Sequence, residues 1–193
     1  MKRMCVWLIG VCFFSGCVAG QVVPLNYSPV SAADIGSLNV ISVKVQDRRD
    51  FILNRSKPDS YIGHFRAGFG NTWNVYTSGR APLADVVCRD IVKELKSLGF
   101  GTKISNGDRE IDIEIVDYNF DAYTNTRFWY DFRLIVKSAG SVIYEKTYKS
   151  EHVIKGSVWI GPVKAVRAQM PQLYAGLIRD MIRNDKELIA AIK

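Results

Sequence analysis

The chain has 193 residues, a net charge of +7, and a composition that is 48% hydrophobic and 23% charged. That length is enough to bury one hydrophobic core. The basic excess comes without an arginine-rich run or a basic–aromatic repeat, so composition excludes a nucleic-acid-binding signature and no nucleic-acid partner is expected.

Met1-Lys2-Arg3-Met4 carries two positive charges, an apolar run follows from Cys5 to Phe14, and Ser15-Gly16-Cys17 comes next. This is the layout of a secretory signal over residues 1–16. The apolar run is too short for a bilayer-spanning helix, which needs about 20 residues. Phe14-Ser15-Gly16-Cys17 resembles the bacterial lipobox, whose cysteine is acylated and becomes the first mature residue. The resemblance makes Cys17 the lipidation site. Several acyl chains anchor a protein firmly where one alone binds marginally. Val18, in place of the aspartate of the inner-membrane retention signal, directs the anchor to the periplasmic face of the outer membrane. Two of the four cysteines, Cys5 and Cys12, leave with the signal and Cys17 takes the lipid. Only Cys88 remains, and no intramolecular disulfide is expected.

Residues 17–37 read as the lipidated cysteine and a flexible tether, with Pro24, Pro29 and Gly36 among serines. A single periplasmic domain is expected over 38–193. The first strand is predicted over 38–45, ending in the charged run Gln46-Asp47-Arg48-Arg49-Asp50. Residues 51–81, rich in Gly, Asn and aromatics, predict a long excursion holding one or two short strands. Pro82 opens a helix that Gly99 stops, with Cys88 on its apolar arc and Lys93 and Lys96 on its polar one. Three strands are predicted over 110–120, 126–137 and 141–152, joined by turns at Tyr123-Thr124-Asn125 and Ser138-Ala139-Gly140. Helical spacing returns from Val163 to Met181, interrupted by Pro171, and a last short helix covers 187–192. The predicted fold is therefore α+β: a mostly antiparallel sheet of about four strands with helices packed on one face.

The two histidines, His64 and His152, stand in no metal-ligand spacing, and no nucleophile elbow, P-loop or dinucleotide fingerprint is present. Gly68-Phe69-Gly70 reads as a turn. Glu110, Asp112 and Glu114 point the same way along a strand, and read as a solvated face paired with Arg or Lys on the next strand. No metal, no cofactor and no enzyme activity are expected. The aromatic density is the stronger signal. A strand under helices cannot bury both faces, so either Phe128, Tyr130 and Phe132 or Trp129, Asp131 and Arg133 must face away from the core. The excursion covers that set, or it is a patch for a partner. Trp73, Tyr76, Phe128, Trp129 and Tyr130 are the candidate partner-binding residues.

Leu25-Asn26-Tyr27-Ser28-Pro29, Val43 to Arg49, Ile62-Gly63, the Leu-Gly-Phe after the first long helix, and the helix–Asn-Asp–short-helix ending resemble the YajG-like family of bacterial lipoproteins across nearly the whole mature chain. That resemblance implies an α+β periplasmic domain with no established catalytic activity, and supplies no active-site residue. The function expected is a non-enzymatic binding or accessory component of the cell envelope, acting by protein–protein contact. The alternative is a carrier for a small amphiphile, a lipid or muropeptide, lodged between sheet and helices; an envelope hydrolase ranks last. The oligomeric state is left open.

Overall fold

The computed structural model describes residues 21–30, 35, 39–66, 71–103, 107–156 and 161–193. The signal, Cys17 and the Gly68-Phe69-Gly70 run lie outside the described residues. Among those described, eight strands form one mixed sheet. They are β1 (Gln21–Val22), β2 (Val40–Asp47), β3 (Tyr61–Arg66), β4 (Thr72–Tyr76), β5 (Gly101–Lys103), β6 (Arg109–Ala122), β7 (Thr126–Ser138) and β8 (Ser141–Ile154). The helices are α1 (Asp50–Leu53), α2 (Leu83–Ser97), α3 (Gly161–Ile182) and α4 (Lys186–Ile192). Helices α2, α3 and α4 pack on one face of the sheet.

β6 is the spine. β7 runs antiparallel to it along its whole length. On its other side β2 pairs in parallel with Arg109–Ile115, and β3 takes over at Asp121 and Ala122. The two predicted hairpins, β6–β7 and β7–β8, are present. The expectation of about four mostly antiparallel strands is corrected: β2–β5, β2–β6, β3–β6 and β1–β4 are all parallel. Parallel neighbours need long crossovers rather than tight turns, so local turn chemistry does not announce them. The excursion, too, is part of the sheet: β3 and β4 form an antiparallel hairpin within it.

A bulge at Val116 sets the faces of β6. Before it Ile111, Ile113 and Ile115 are buried, and after it Tyr118, Phe120 and Ala122, so the inward phase moves from odd to even positions. Opposite them Phe128, Phe132, Leu134 and Val136 of β7 are buried, and Tyr118 meets Phe128, Phe132 and Tyr174 edge to face. Each such side chain stabilises by about 1.5–3 kcal/mol.

Where β2 leaves β6 and β3 replaces it, Arg49 fills the junction with no exposed surface. Its guanidinium pairs with Asp47 (Nε–Oδ1 2.8 Å, Nη2–Oδ2 2.6 Å) and donates to the carbonyls of Tyr61 (2.6 Å), Tyr118 (3.1 Å) and Asp59 (3.3 Å). The charged run is thus a clamp inside the fold, where the sequence predicted a break.

The tether reading is also corrected over residues 21–27. β1 pairs with β4, and Val23, Leu25 and Tyr27 are buried at alternate positions. The Tyr27 hydroxyl donates to Glu94 on α2. Glu94 also receives Arg183, while Asp90 one turn earlier receives Tyr174 (3.1 Å) from α3 and Lys93 (2.9 Å). Both acids are fully buried, so α2 holds the N-terminal segment and α3 by charge-assisted bonds as well as by its apolar arc. α3 runs through Pro171 as one helix. Cys88 is half-buried against the Val43 carbonyl, and burial pushes its thiol pKa up.

Candidate functional site on the open face of the sheet

The register decides which aromatic set faces outward. Cross-strand partners share a face. Phe128 and Phe132 lie opposite Phe120 and Ile115 in the core, so Trp129, Asp131 and Arg133 point to the helix-free face. Among the described residues of 51–81, no strand covers this set: β3 and β4 lie beside β6, on its far side from β7.

A cleft of about 590 Å³ opens on this face. Val116 at the bulge, Trp129, Asp117 and Asp131 line it from the middle of the sheet, Asp50 from α1, and β8 closes the other side. Asp117 stands directly across from Asp131. Two carboxylates so placed repel. The Trp129 Nε1–H donates to Asp117 (2.7 Å), and Lys149 pairs with Asp131 (3.1 Å). Arg127 lies over the Trp129 ring (5.5 Å to its centre) and makes a two-pronged pair with Glu151 (2.5 and 2.7 Å), which lowers the Glu151 pKa. The cleft's two cations are therefore already engaged. Asp50 and Asp117 have no ion pair among the described residues. On a chain of net charge +7, this is a locally acidic hollow beside an indole ring.

Of the other expected residues, only Tyr130 touches this cleft. Phe128 has no exposed surface and belongs to the core, which removes it from any contact surface. Tyr130 also lines the cleft, while its half-buried ring packs on the core side against Phe128, Phe132 and the His152 ring. Trp73 is 37% exposed but lies across from buried Phe65, so it faces the side opposite Trp129. Tyr76 carries the Arg80 guanidinium over its ring (4.7 Å). The structure does not bring Trp73 and Trp129 together. Glu110, Asp112 and Glu114 face outward. Asp112 pairs with Lys137, and Glu114 with Arg133 (3.6 Å) and Arg48 (3.9 Å), the cross-strand pairing expected of a solvated face.

Two polar groupings escaped sequence reasoning. Tyr61, His64, Asp121 and Arg66 form a string: Oη–Nδ1 3.1 Å, Nε2–Oδ1 3.3 Å, and Arg66 Nε–Asp121 Oδ1 2.7 Å. Burial pushes Tyr61 up to about 12 and His64 below its usual value. Tyr61 is buried under Phe51 and Lys57, so the string ties β3 to β6 and presents no nucleophile. On the helix side, Asp185 caps α4 through the Leu188 amide (2.9 Å) and accepts from Tyr144 (2.8 Å), Lys146 (2.6 Å) and Tyr148 (2.6 Å) of β8. Burial alone would raise its pKa; these four donors outweigh burial and hold it far below the carboxylate range. Asn-Asp before a short apolar helix is a readable cap signal, but its partners on β8 are not local. Among the described residues no group of three or more His, Cys, Asp or Glu is placed to hold a metal ion.

No protein-family model and no curated protein matches the sequence. Among solved structures, the chain is similar to a Xanthomonas campestris protein of the family DUF330, at 10% identity over 83% of this chain and 92% of that one, with a TM-score of 0.59. A Helicobacter pylori homolog of the neuraminyllactose-binding hemagglutinin aligns at 8% identity over 84% and 94% of the two chains, TM-score 0.47. A Neisseria meningitidis lipoprotein aligns at 11% over 76% and 98%, TM-score 0.30. The likeness to the Xanthomonas protein is one of fold: an α+β architecture shared without close sequence relationship.

Proposed function

We propose that this chain is a lipid-anchored envelope protein that acts without catalysis, by holding a protein partner in the Trp129 cleft. The observation that carries the reading is the cleft itself: an indole ring set beside Asp50 and Asp117, two carboxylates with no ion pair among the described residues. A partner surface offering a lysine or arginine next to an apolar side chain matches it in charge and in shape. The anchor rests on Phe14-Ser15-Gly16-Cys17 and Val18, which support a position at the periplasmic face of the outer membrane, in keeping with the resemblance to YajG-like lipoproteins. No helix of the described residues is long and apolar enough to cross a membrane. The space between sheet and helices is taken by Tyr118, Phe128, Phe132 and Tyr174, which does not favour an amphiphile carrier.

Co-purification from crosslinked membranes tests the proposal. A partner retained by wild type and by Trp73→Ala but lost with Trp129→Ala supports it. Equal recovery with all three refutes it.

A further inference from the structure

β8 is the outermost strand on its side of the sheet. It pairs with β7 over Ser141–Ile154 and with no other strand among the described residues. One whole edge of a 14-residue strand therefore carries backbone donors and acceptors with no strand beside it. Val142, Ile143 and Val153 stand exposed along it, Val153 at 63%. Such an edge is a template for another strand.

We propose that β8 pairs antiparallel with β8 of a second copy of this chain, about a two-fold axis at Ser150. The distribution of charge selects the occupant and the register. Centred on Ser150, Lys149 faces the partner's Glu151 and Glu145 faces the partner's Lys155, one residue past the end of β8, and symmetry repeats both pairs. Exposed Val153 then lies across from Thr147, and Tyr148 from His152. Each neighbouring register is worse. An axis at Lys149 or at Glu151 sets that charge against its own copy. One at Tyr148 sets Glu145 against Glu151. One at Thr147 keeps only the Glu145–Lys149 pair and places exposed Ile143 against Glu151. Charges on an edge strand ordinarily guard it against association. Here they become four opposite-charge contacts in a single register, the self-complementarity that a two-fold interface requires. Glu145 already meets Arg133, Lys149 meets Asp131, and Glu151 meets Arg127, so the side chains are held on the outer face where the second copy would find them. The pairing extends the sheet through both subunits and sets the two Trp129 clefts side by side.

Sedimentation velocity on the full chain in detergent tests this, with circular dichroism to verify folding. Wild type is expected to be dimeric at micromolar concentration. Lys149→Glu or Glu151→Lys alone turns attraction into repulsion twice and weakens the dimer about tenfold or more. The double variant restores opposite charges across the axis and recovers it. Ser150→Cys is expected to give a disulfide-linked dimer on oxidation, because directly opposed residues sit about 4.5–5.5 Å apart between Cα atoms, within disulfide range; Thr147→Cys is not. A monomeric wild type, a double variant weaker than either single one, or readier linkage at 147 than at 150 would overturn the proposal. Asp50→Lys, on α1 at the cleft rim and away from β8, is expected to abolish partner binding and leave the dimer intact, so loss of partner binding and loss of dimerisation are read separately.

Discussion

Replacing Arg49 by methionine keeps the packed stem and removes the guanidinium. In the folded protein that group pairs with Asp47 and satisfies the carbonyls of Asp59, Tyr61 and Tyr118, with no exposed surface of its own. The variant leaves Asp47, whose side chain is 9% exposed, as an uncompensated carboxylate, and strands acceptors on both β3 and β6. Removing one partner of a buried pair costs about 3–5 kcal/mol, a large share of the 5–15 kcal/mol of a typical domain. At about 2–4 °C per kcal/mol for a chain of this size, Tm should fall by roughly 6–20 °C. Urea unfolding followed by circular dichroism measures the loss directly. Adding Asp47→Asn to Arg49→Met removes the orphaned charge and should return part of the stability. If Arg49→Met unfolds within about 1 kcal/mol of wild type, the buried clamp does not hold the β2–β3 junction and the reasoning fails.

Asp185→Asn should destabilise by about 1–2 kcal/mol near neutral pH. The folded carboxylate has its pKa depressed, so its contribution is complete above the unfolded value near pH 4 and is lost as pH falls through the folded value. Denaturation at several pH values should therefore show the gap between variant and wild type closing in acid; a gap that widens there would contradict the sign. Phe128→Ala should cost about 3–5 kcal/mol as a core truncation, measurable by denaturant titration, while Trp129→Ala should cost clearly less; equal losses would mean that the two faces of β7 have been misassigned. At Gly63 an added Cβ would lie 2.4 Å from the Phe120 ring. Gly63→Ala should lower stability by about 2–3 kcal/mol, and a thermal shift near zero would show that β3 has room there.

What could be read from the sequence followed from local periodicity. The arc of α2, the alternation of β6 and β7 and the turn at Ala139-Gly140 all repeat at helical or strand spacing, and each was found where predicted. The bulge was legible in principle, because Ile111, Ile113 and Ile115 sit at odd positions while Tyr118 and Phe120 sit at even ones. So was the docking of Val23, Leu25 and Tyr27, an alternation hidden among prolines. Other features had no local signal. Arg49 and the buried acids Asp90 and Glu94 look like surface residues until their partners, up to 89 positions away for Glu94 and Arg183, are brought to them by folding. Parallel pairing of β2 with β6 and β5, and of β3 with β6, depends on crossovers, and β3 and β5, at six and three residues, carry too few alternations to reveal it. At the candidate site, the sequence narrowed the aromatic surface to two alternate sets. Only the register of β6 with β7 selected Trp129 and assigned Phe128 to the core.

Docking of a protein partner at the Trp129 cleft, on the helix-free face of the sheet, can be read in the cell itself. Its most direct test is site-specific photocrosslinking in the intact envelope, with the photoreactive side chain placed at Asp50 on the cleft rim or at Gln172, exposed on α3. One discrete crosslinked protein is expected from position 50, diminished by Trp129→Ala, and none of that species from position 172. The same species from both positions, or only from 172, would contradict it.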